Sequence, residues 1–450
     1  MISVQEVSKK DVQSPGVIVL YTASPWESAV VVLRVTAPAK RAGLKVIKGN
    51  QGDRVSPELV SEADVVVIQR DFPRFRKAYA EVIARARTEG KPVVYEIDDL
   101  LLEMPVDHST RRDYHGYLLA MLQAIVEADV VTASCPALAD YLRMFNPNTR
   151  VLPNYLDDQT WKFRTPGENQ LDNFPVVIGY MGGETHQADL GYVSPALQNI
   201  LQRFEGKVKL RFFGGKPPEL LLDSPFVEWI AFNRDHYAEF SQFFMQQVCD
   251  IFIAPLRDNL FNRCKSVIKY LECSVHGSPG IYSHIPAYES IVEPGVNGLI
   301  AATTEEWEMY MIELIEKPAL RRQMGKIAQE TVRDKWLLSQ HCHEWVEVYE
   351  SVLDPIEKLQ GYPSDQFSII LRIANQTEQY QQELEDTIQQ LNAKNIELDR
   401  EAVTVSNQLR EIIESRSWQL MQIIQKGRLW LVPQGSLRER VLSGKRKGGQ

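Results

Sequence analysis

The sequence predicts an α/β protein: two doubly wound parallel-sheet units facing a cleft, followed by a long C-terminal helix with a coiled-coil pattern. Three observations predict it. Short apolar runs alternate with helical stretches from about residue 16 to 157, which means a parallel sheet with helices on both faces. The same alternation restarts at about residue 174 after a polar link over 158–174. Beyond about residue 355 it gives way to an uninterrupted heptad pattern. A chain of 450 residues with 44% apolar content can supply two cores and an extension. The boundaries expected are 1–165 and 170–355 for the two units, 366–415 for the coil and 416–450 for a basic tail.

In the first unit, "GVIVLYTAS" (16–24) is an apolar run ending in small residues, the mark of a strand buried on both faces. "SAVVVLRVTAPAKRAGL" follows as a helix with a break expected at Pro38. "ADVVVIQR" (63–70) is the second strand, and "FRKAYAEVIARARTEG" is a helix stopped by Gly90. "KPVVYEIDDLL" (91–101) is a strand running into an acidic turn. "YHGYLLAMLQAIVEA", "DVVTAS", "PALADYLRMFN" and "TRVLPNYLD" continue the alternation.

The second unit opens with "FPVVIGYMGG" (174–183), a strand ending in paired glycines. "VSPALQNILQRFEG" is a helix, "VKLRFFGG" a strand, "VEWIAF" a short strand and "YAEFSQFFMQQ" a helix. "CDIFIAPL" (249–256) and "GIYS" are strands on either side of "FNRCKSVIKYLECSVHGSPG". "EEWEMYMIELIEK" and "PALRRQMGKIAQETVRDKW" close the unit as helices.

Leu384, Leu391, Leu398, Val405 and Ile412 then recur every seven residues, with Ile388, Asn395, Ala402 and Leu409 four after the first four of them. That is an a/d seam with a polar Asn395 at an a position, a device that sets register and strand number. It predicts a coiled coil that joins copies of the chain or a partner protein; a single amphipathic helix lying on the body would share the pattern. From Arg416 onward eight Lys/Arg face one acid, Glu439, so this tail carries +7 and the remainder −16 of the net −9. "SRSWQLMQIIQKGRLWLVPQG" mixes aromatic, aliphatic and basic residues, which suits a helix on anionic lipid or one packed on the protein.

The acidic balance argues against nucleic-acid binding. Five scattered cysteines with no CxxC pair suit free thiols in a reducing compartment. "HCH" at 341–343 resembles a metal cluster, but neighbours on a helix point in different directions. The N-terminus shows no apolar signal region, and no run of eighteen apolar residues occurs. A cytoplasmic place is expected, with the tail offering a contact to the inner face of the cytoplasmic membrane.

The candidate site centres on 261–280. On a helix, Lys265, Lys269 and Glu272 would share one face. Lys265 and Ser266 at a helix start would seat an anion, most naturally a phosphate; an ordinary amphipathic helix with surface lysines is the plainer alternative. Gly182 and Gly183 would let the backbone approach that anion, or form a tight turn. Asp98 and Asp99, at the C-terminal end of a strand, lie where α/β sites lie, although an N-cap role is the alternative. They do not form a metal-binding Asp-x-Asp. His108 lies nearby in sequence.

"VVIGYMGGETHQADL", "DIFIAPLRDNLFNRCKSVIKYLE" and "HGSPGIYSHIPAYESIVEPGVNGLI" follow one another as in the donor-binding half of retaining glycosyltransferases of family 4, which have the GT-B fold. "VVYEIDDLLLEMP" and "ASCPALADYLRMFNPNTRVLPNYLDDQTW" resemble the acceptor half of a bacterial subgroup, and the resemblance covers roughly 15–352. It implies two Rossmann-like domains and a hexose-type sugar passed from a nucleotide diphosphate sugar to a glycan or lipid-linked acceptor in surface polysaccharide synthesis. The nucleotide sugar is the co-substrate, with no cofactor or catalytic metal.

The resemblance implies that Lys265 and Ser266 hold the diphosphate, with Lys269 one turn on, and that Glu272 accepts from the ribose hydroxyls. Tyr288 and Glu289 stand in a loop near the sugar and base, and Arg34 resembles a subgroup arginine facing the cleft, a plain surface arginine being the alternative; by their place in the chain Asp98 and Asp99 would orient the acceptor hydroxyl or accept its proton, and His108 would be a polar partner in the cleft or merely exposed. The family's Glu-x7-Glu signature is incomplete: its second glutamate is Glu272, but its first position is Cys264. The family's Arg and Lys after the first glycine pair are also absent. The departures keep a second reading open, an inactive scaffold acting through the coil. A sugar-nucleotide epimerase with the same body is a third.

Overall fold

The computed structural model describes residues 15–165, 175–232, 236–353 and 364–442, with residues 364–381, 440 and 442 described by their backbone alone. The chain divides into two units, Met1–Leu371 and Arg372–Gln450. The first contains both sheets.

The first sheet comprises β1 (Val17–Thr22), β2 (Lys45–Lys48), β5 (Val65–Gln69), β6 (Val93–Ile97), β7 (Val130–Ala133) and β8 (Thr149–Val151). A small hairpin, β3 (Asn50–Gln51) with β4 (Arg54–Val55), stands apart from it. All six strands run parallel in the order β2-β1-β5-β6-β7-β8. Period-two alternation explains its two cores. Val19, Tyr21, Val66 and Ile68 face one, and Ile18, Leu20, Val65 and Val67 face the other.

The second sheet comprises β9 (Val176–Gly182), β10 (Val208–Gly214), β11 (Val227–Ile230), β12 (Ile251–Ala254), β13 (Gly280–Ser283) and β14 (Leu299–Ala301). Its order is β11-β10-β9-β12-β13-β14, again all parallel. The strand order reverses between β1 and β5 in one sheet and between β9 and β12 in the other. Such reversals leave a crevice beyond the strands' C-terminal ends.

Two exchanges tie the sheets together. Phe261 and Cys264, from the second half, are buried in the first sheet's core. After the helix Pro318–Lys335 the chain returns: Leu338, Trp345, Val348 and Tyr349 pack onto Ile18, Leu20 and Val31, and Trp345 Nε1 donates to Arg34 O at 2.8 Å. A boundary at residue 355 therefore assigns to the second half a helix, His343–Leu353, that completes the first core.

Some elements differ from expectation. The helix from Ala29 runs through to Arg41 instead of breaking at Pro38, because the turn Val32–Thr36 is π-helical and Pro38 opens the α-helical segment after it. "YHGYLLAMLQAIVEA" divides at Gly116-Tyr117 into Arg111–His115 and Leu118–Glu127. The helix expected from Val193 begins at Gln187 and carries Pro195 inside it. β2, a lysine-flanked edge strand, and the three-residue β14 gave no apolar run to find.

One helix spans Ser364–Glu414, its residues from Arg372 onward in the second unit, and another spans Arg416–Leu431. Ser415 separates them: its ψ of 145° leaves the helical region, and its side chain accepts from Trp418 N to cap the second helix. Lys445, Arg446 and Lys447 of the expected tail lie outside the described residues, as do 166–174 of the link. No described helix is long and apolar enough to cross a membrane.

Candidate active site

A pocket lies beyond the ends of β6, β9 and β12, lined from the first half by Arg34, Asp98, Asp99 and Asn154. From the second half come Met181, His186, Tyr237, Lys265, Ser266, Lys269, Glu272 and Tyr288. Asp98, Asp99, Asn154 and Met181 come from strand ends or the turns after them, whereas Arg34, Tyr237, Lys269, Glu272 and Tyr288 come from helices.

The segment 261–274 is not one helix. Asn259 caps a single turn, Leu260–Arg263, by accepting from Asn262 N. The chain then opens at Cys264–Val267, and a seven-residue helix, Ile268–Ser274, follows. Lys265 and Ser266 thus lie in the opening just before the helix's N-cap, Val267, and Lys265 is not on the helix face that carries Lys269 and Glu272. The break has a cause in packing. Cys264 points into the first sheet's core, where burial and then the neighbouring Cys135 push its thiol up to about 12. Cys135 Sγ donates to its carbonyl at 3.2 Å. The position at which the resembled family has a glutamate is here a core position outside the pocket lining.

Lys265 Nζ donates to Asp99 Oδ1 at 2.9 Å and lies 4.3 Å from the centre of the Phe261 ring. Burial pushes the Asp99 carboxyl up, but the charges of Lys265 and Arg70 outweigh it and hold it below its ordinary value. Asp98 is held by Arg70, Nη1 to Oδ1 at 2.6 Å. Both carboxylates are therefore ion-paired and suited to accepting hydrogen bonds, and Asp99, held below its ordinary value, is poorly suited to taking a proton.

Ser266 Oγ accepts from Asn154 Nδ2 at 2.9 Å, and Asn154 Oδ1 accepts from Arg34 Nη1 at 2.8 Å. Arg34 Nε donates to Glu96 Oε1 at 2.6 Å. This chain of contacts ties the second half's loop to a buried ion pair under the first sheet. Burial pushes the Glu96 carboxyl up, with the Arg34 charge opposing it. Arg34 Nη2 is buried and makes no hydrogen bond among the described residues. Arg34 is thus a buried anchor at the pocket wall.

Lys269 Nζ donates to Met181 O at 2.8 Å and stands 5.3 Å from the Tyr180 ring centre. Glu272 is buried and accepts from Tyr237 OH at 2.8 Å, while Trp161 Nε1 donates to the same phenol at 3.1 Å. Tyr288 is buried and lines the pocket.

Four expected residues are placed elsewhere. Glu289 is exposed and meets His284 at 2.8 Å, because its short helix, Pro286–Glu289, buries Tyr288 and turns Glu289 outward. His108 bonds Thr110 Oγ1 at 3.1 Å and packs edge-on against Phe261, outside the pocket lining. Gly182 ends β9 for a local reason: a Cβ there would lie 1.9 Å from Tyr180 OH. Gly215 N donates to Gly182 O at 2.7 Å, and a Cβ at Gly215 would lie 2.8 Å from Gly183 O. The two glycine pairs thus pack against each other beside the pocket, and neither Gly182 nor Gly183 lines it.

Several residues of the site escaped the sequence. His186 Nδ1 bonds Asp189 Oδ2 at 2.9 Å; Asp189 Oδ1 in turn accepts from Arg257 N and Asn262 Nδ2. Burial, then Lys269, lowers the His186 pKa to about 3, so the ring is neutral. With Nδ1 turned to Asp189, Nε2 remains as an acceptor on the pocket side. The His-x-x-Asp spacing in "ETHQADL" was its signal. Arg70 sits at φ 49°, the one non-glycine residue at positive φ among those described, directly after β5. Asn154 and Tyr237 carried no sequence signal.

Among the described residues no group of three or more His, Cys, Asp or Glu side chains could hold a metal ion. The "HCH" segment is explained otherwise: His341 stacks on Tyr155 at 4.1 Å and bonds Glu344 at 2.8 Å.

No protein-family model and no curated protein matches the sequence. Solved structures do. The chain is similar to Anabaena HepE in complex with UDP, with a TM-score of 0.51, 15% identity, and 74% of this chain and 99% of that one covered. HepE in complex with UDP-glucose gives the same score and identity. Sucrose-phosphate synthase from Thermosynechococcus elongatus has a TM-score of 0.55 at 13% identity, covering 75% and 98%. A glycosyltransferase from Rickettsia africae has 0.51 at 11%, covering 75% and 99%. The body has the GT-B fold. At such identities the likeness speaks for architecture alone.

Proposed function

We propose that this chain is a glycosyltransferase that moves a sugar from a nucleotide diphosphate sugar to an acceptor hydroxyl. The observation that carries the reading is the convergence of Lys265, Ser266, Lys269 and Glu272 in a cleft between two doubly wound sheets, opposite Asp98 and Asp99. Two lysine ammonium groups neutralise a diphosphate, and Ser266 donates to it. Glu272, fixed by Tyr237, accepts from the ribose diol. His186 Nε2 accepts from a hydroxyl of the sugar.

The sugar's anomeric carbon–oxygen bond breaks, and negative charge grows on the departing diphosphate. Lys265 and Lys269 stabilise that charge as it develops. The acceptor hydroxyl attacks on the same face, so configuration is retained, and its proton passes to the leaving phosphate. Asp98 and Asp99 orient that hydroxyl. Closure of the cleft excludes water, which would otherwise hydrolyse the donor. The acceptor is a glycan or lipid-linked glycan of surface polysaccharide synthesis, and the helix Arg416–Leu431 with its basic residues contacts anionic lipid at the cytoplasmic membrane face. HepE, a structural neighbour solved with UDP and with UDP-glucose, supports a uridine nucleotide as the first donor to try.

The experiment is turnover. UDP-, GDP- and dTDP-sugars are screened for stabilisation of the protein, then for release of the nucleoside diphosphate. One donor should be bound and consumed, and Lys265→Ala should abolish consumption. If no donor binds, the inactive scaffold takes its place, the reading for which the core position of Cys264 speaks.

A further inference from the structure

We propose that the helix Ser364–Glu414 pairs with its counterpart in a second copy of this chain as a parallel, in-register, two-stranded coiled coil over residues 384–412. The inference concerns the second unit alone and is independent of what the cleft does.

The a/d residues share one stripe of a continuous helix that has no Gly or Pro over 384–412. Its Leu, Ile and Val members are each between 45% and 56% exposed, although such a seam buries its residues when two helices meet. A stripe of that length left in water would be an aggregation liability.

Charge and shape at the seam select the occupant. In a parallel pair in register, each g residue meets the e residue five positions on in the other strand. Lys394 then meets Asp399, and no g–e pair joins like charges: Thr387 meets Asn392 and Glu401 meets Ser406. The strand thus complements itself, as a second copy requires. Asn395 fixes the rest. In register its amide faces the same amide across the seam, and each can bond the other. A slip of one heptad sets it against Ile388 or Ala402, and an antiparallel pairing sets it against an apolar d residue. Either buries an amide without a partner. Leucine at three of the five d positions with Ile388 at a suits two strands. Because the strands run the same way, both Arg416–Leu431 helices begin at one end of the rod.

The full chain is weighed by light scattering and sedimentation. The wild type should have twice the 51.4 kDa chain mass, and Leu391→Glu with Leu398→Glu should halve it with the far-ultraviolet spectrum of the body kept. Asn395→Cys should form an interchain disulfide under mild oxidation, since in-register a positions face each other; Glu397→Cys, on the outer side, should not. Lys394→Glu should weaken the dimer and Asp399→Lys added to it should restore it. A monomeric wild type, a trimer, or a dimer that Asn395→Cys fails to cross-link would each overturn the proposal.

Discussion

Lys265 Nζ and Asp99 Oδ1 lie 2.9 Å apart and join the two halves of the body across the cleft. A diphosphate entering the pocket competes with Asp99 for this ammonium. Asp99→Asn removes the competitor, so it should tighten binding of a nucleoside diphosphate by about three- to tenfold, the scale of a partly exposed ion pair. Lys265→Ala should do the opposite, because Asp99 is then an unpaired anion facing phosphate. Calorimetric titration with UDP checks both. Weaker binding by Asp99→Asn would mean that the pair positions the lysine for the ligand instead of occupying it.

Glu272 is fixed by Tyr237 before any ligand arrives. Glu272→Ala should weaken nucleotide binding by about one to two orders of magnitude, on the scale of hydrogen bonds to a charged group. Tyr237→Phe should lose less, since the carboxylate remains. Binding of a deoxyribonucleotide by the wild type and by Glu272→Ala should differ much less than binding of the ribonucleotide.

The ion pair under the site is structural. Arg34 and Glu96 are buried together, so Arg34→Met leaves an uncompensated carboxylate and should cost about 3–5 kcal/mol. Adding Glu96→Gln should recover a large part of it. Urea unfolding of the single and double variants measures the coupling; additive losses would contradict it.

His276 packs against the rings of Phe244 and Phe252, and burial, then Arg164, lowers its pKa from 6.5 to about 3. The folded ring stays neutral above about pH 3, whereas the unfolded one takes a proton below about 6.5. Between those values the unfolded chain binds more protons, so stability falls as pH falls. The slope from this one residue is up to about 1.4 kcal/mol per pH unit. His276→Gln should flatten the fall between pH 7 and pH 5 in urea titrations, whatever it does to stability at pH 7. An unchanged slope would place the ring's titration elsewhere.

His186 should act on the sugar and not on the nucleotide. His186→Ala should leave UDP affinity within about twofold while lowering affinity for the UDP-sugar by roughly tenfold, the cost of one hydrogen bond. Equal losses for both ligands would instead place the ring at the phosphates.

The architecture was legible because buried parallel strands are written as continuous apolar runs, as in "ADVVVIQR" and "CDIFIAPL". Edge strands such as Lys45–Lys48 are half solvated and leave no such run. Lys265, Lys269 and Glu272 do line one pocket; Lys269 and Glu272 meet by the helical spacing that suggested it, but Lys265 reaches the pocket from the open segment before the helix. Tertiary packing of Phe261 and Cys264 into the other half opens the chain between them. Glu289 shows the converse limit: its neighbour Tyr288 fixes which way the short helix turns, and no local pattern records that. Asn154 and Tyr237 act through partners more than thirty residues distant in sequence, Ser266 and Glu272, which only the folded chain brings near.

The most direct test of the account is release of nucleoside diphosphate from the donor that stabilises the protein, measured for the wild type beside Lys265→Ala. The account predicts turnover by the wild type in the presence of acceptor and its loss in the variant, with kcat falling more than KM rises. Equal turnover by the two proteins would contradict it.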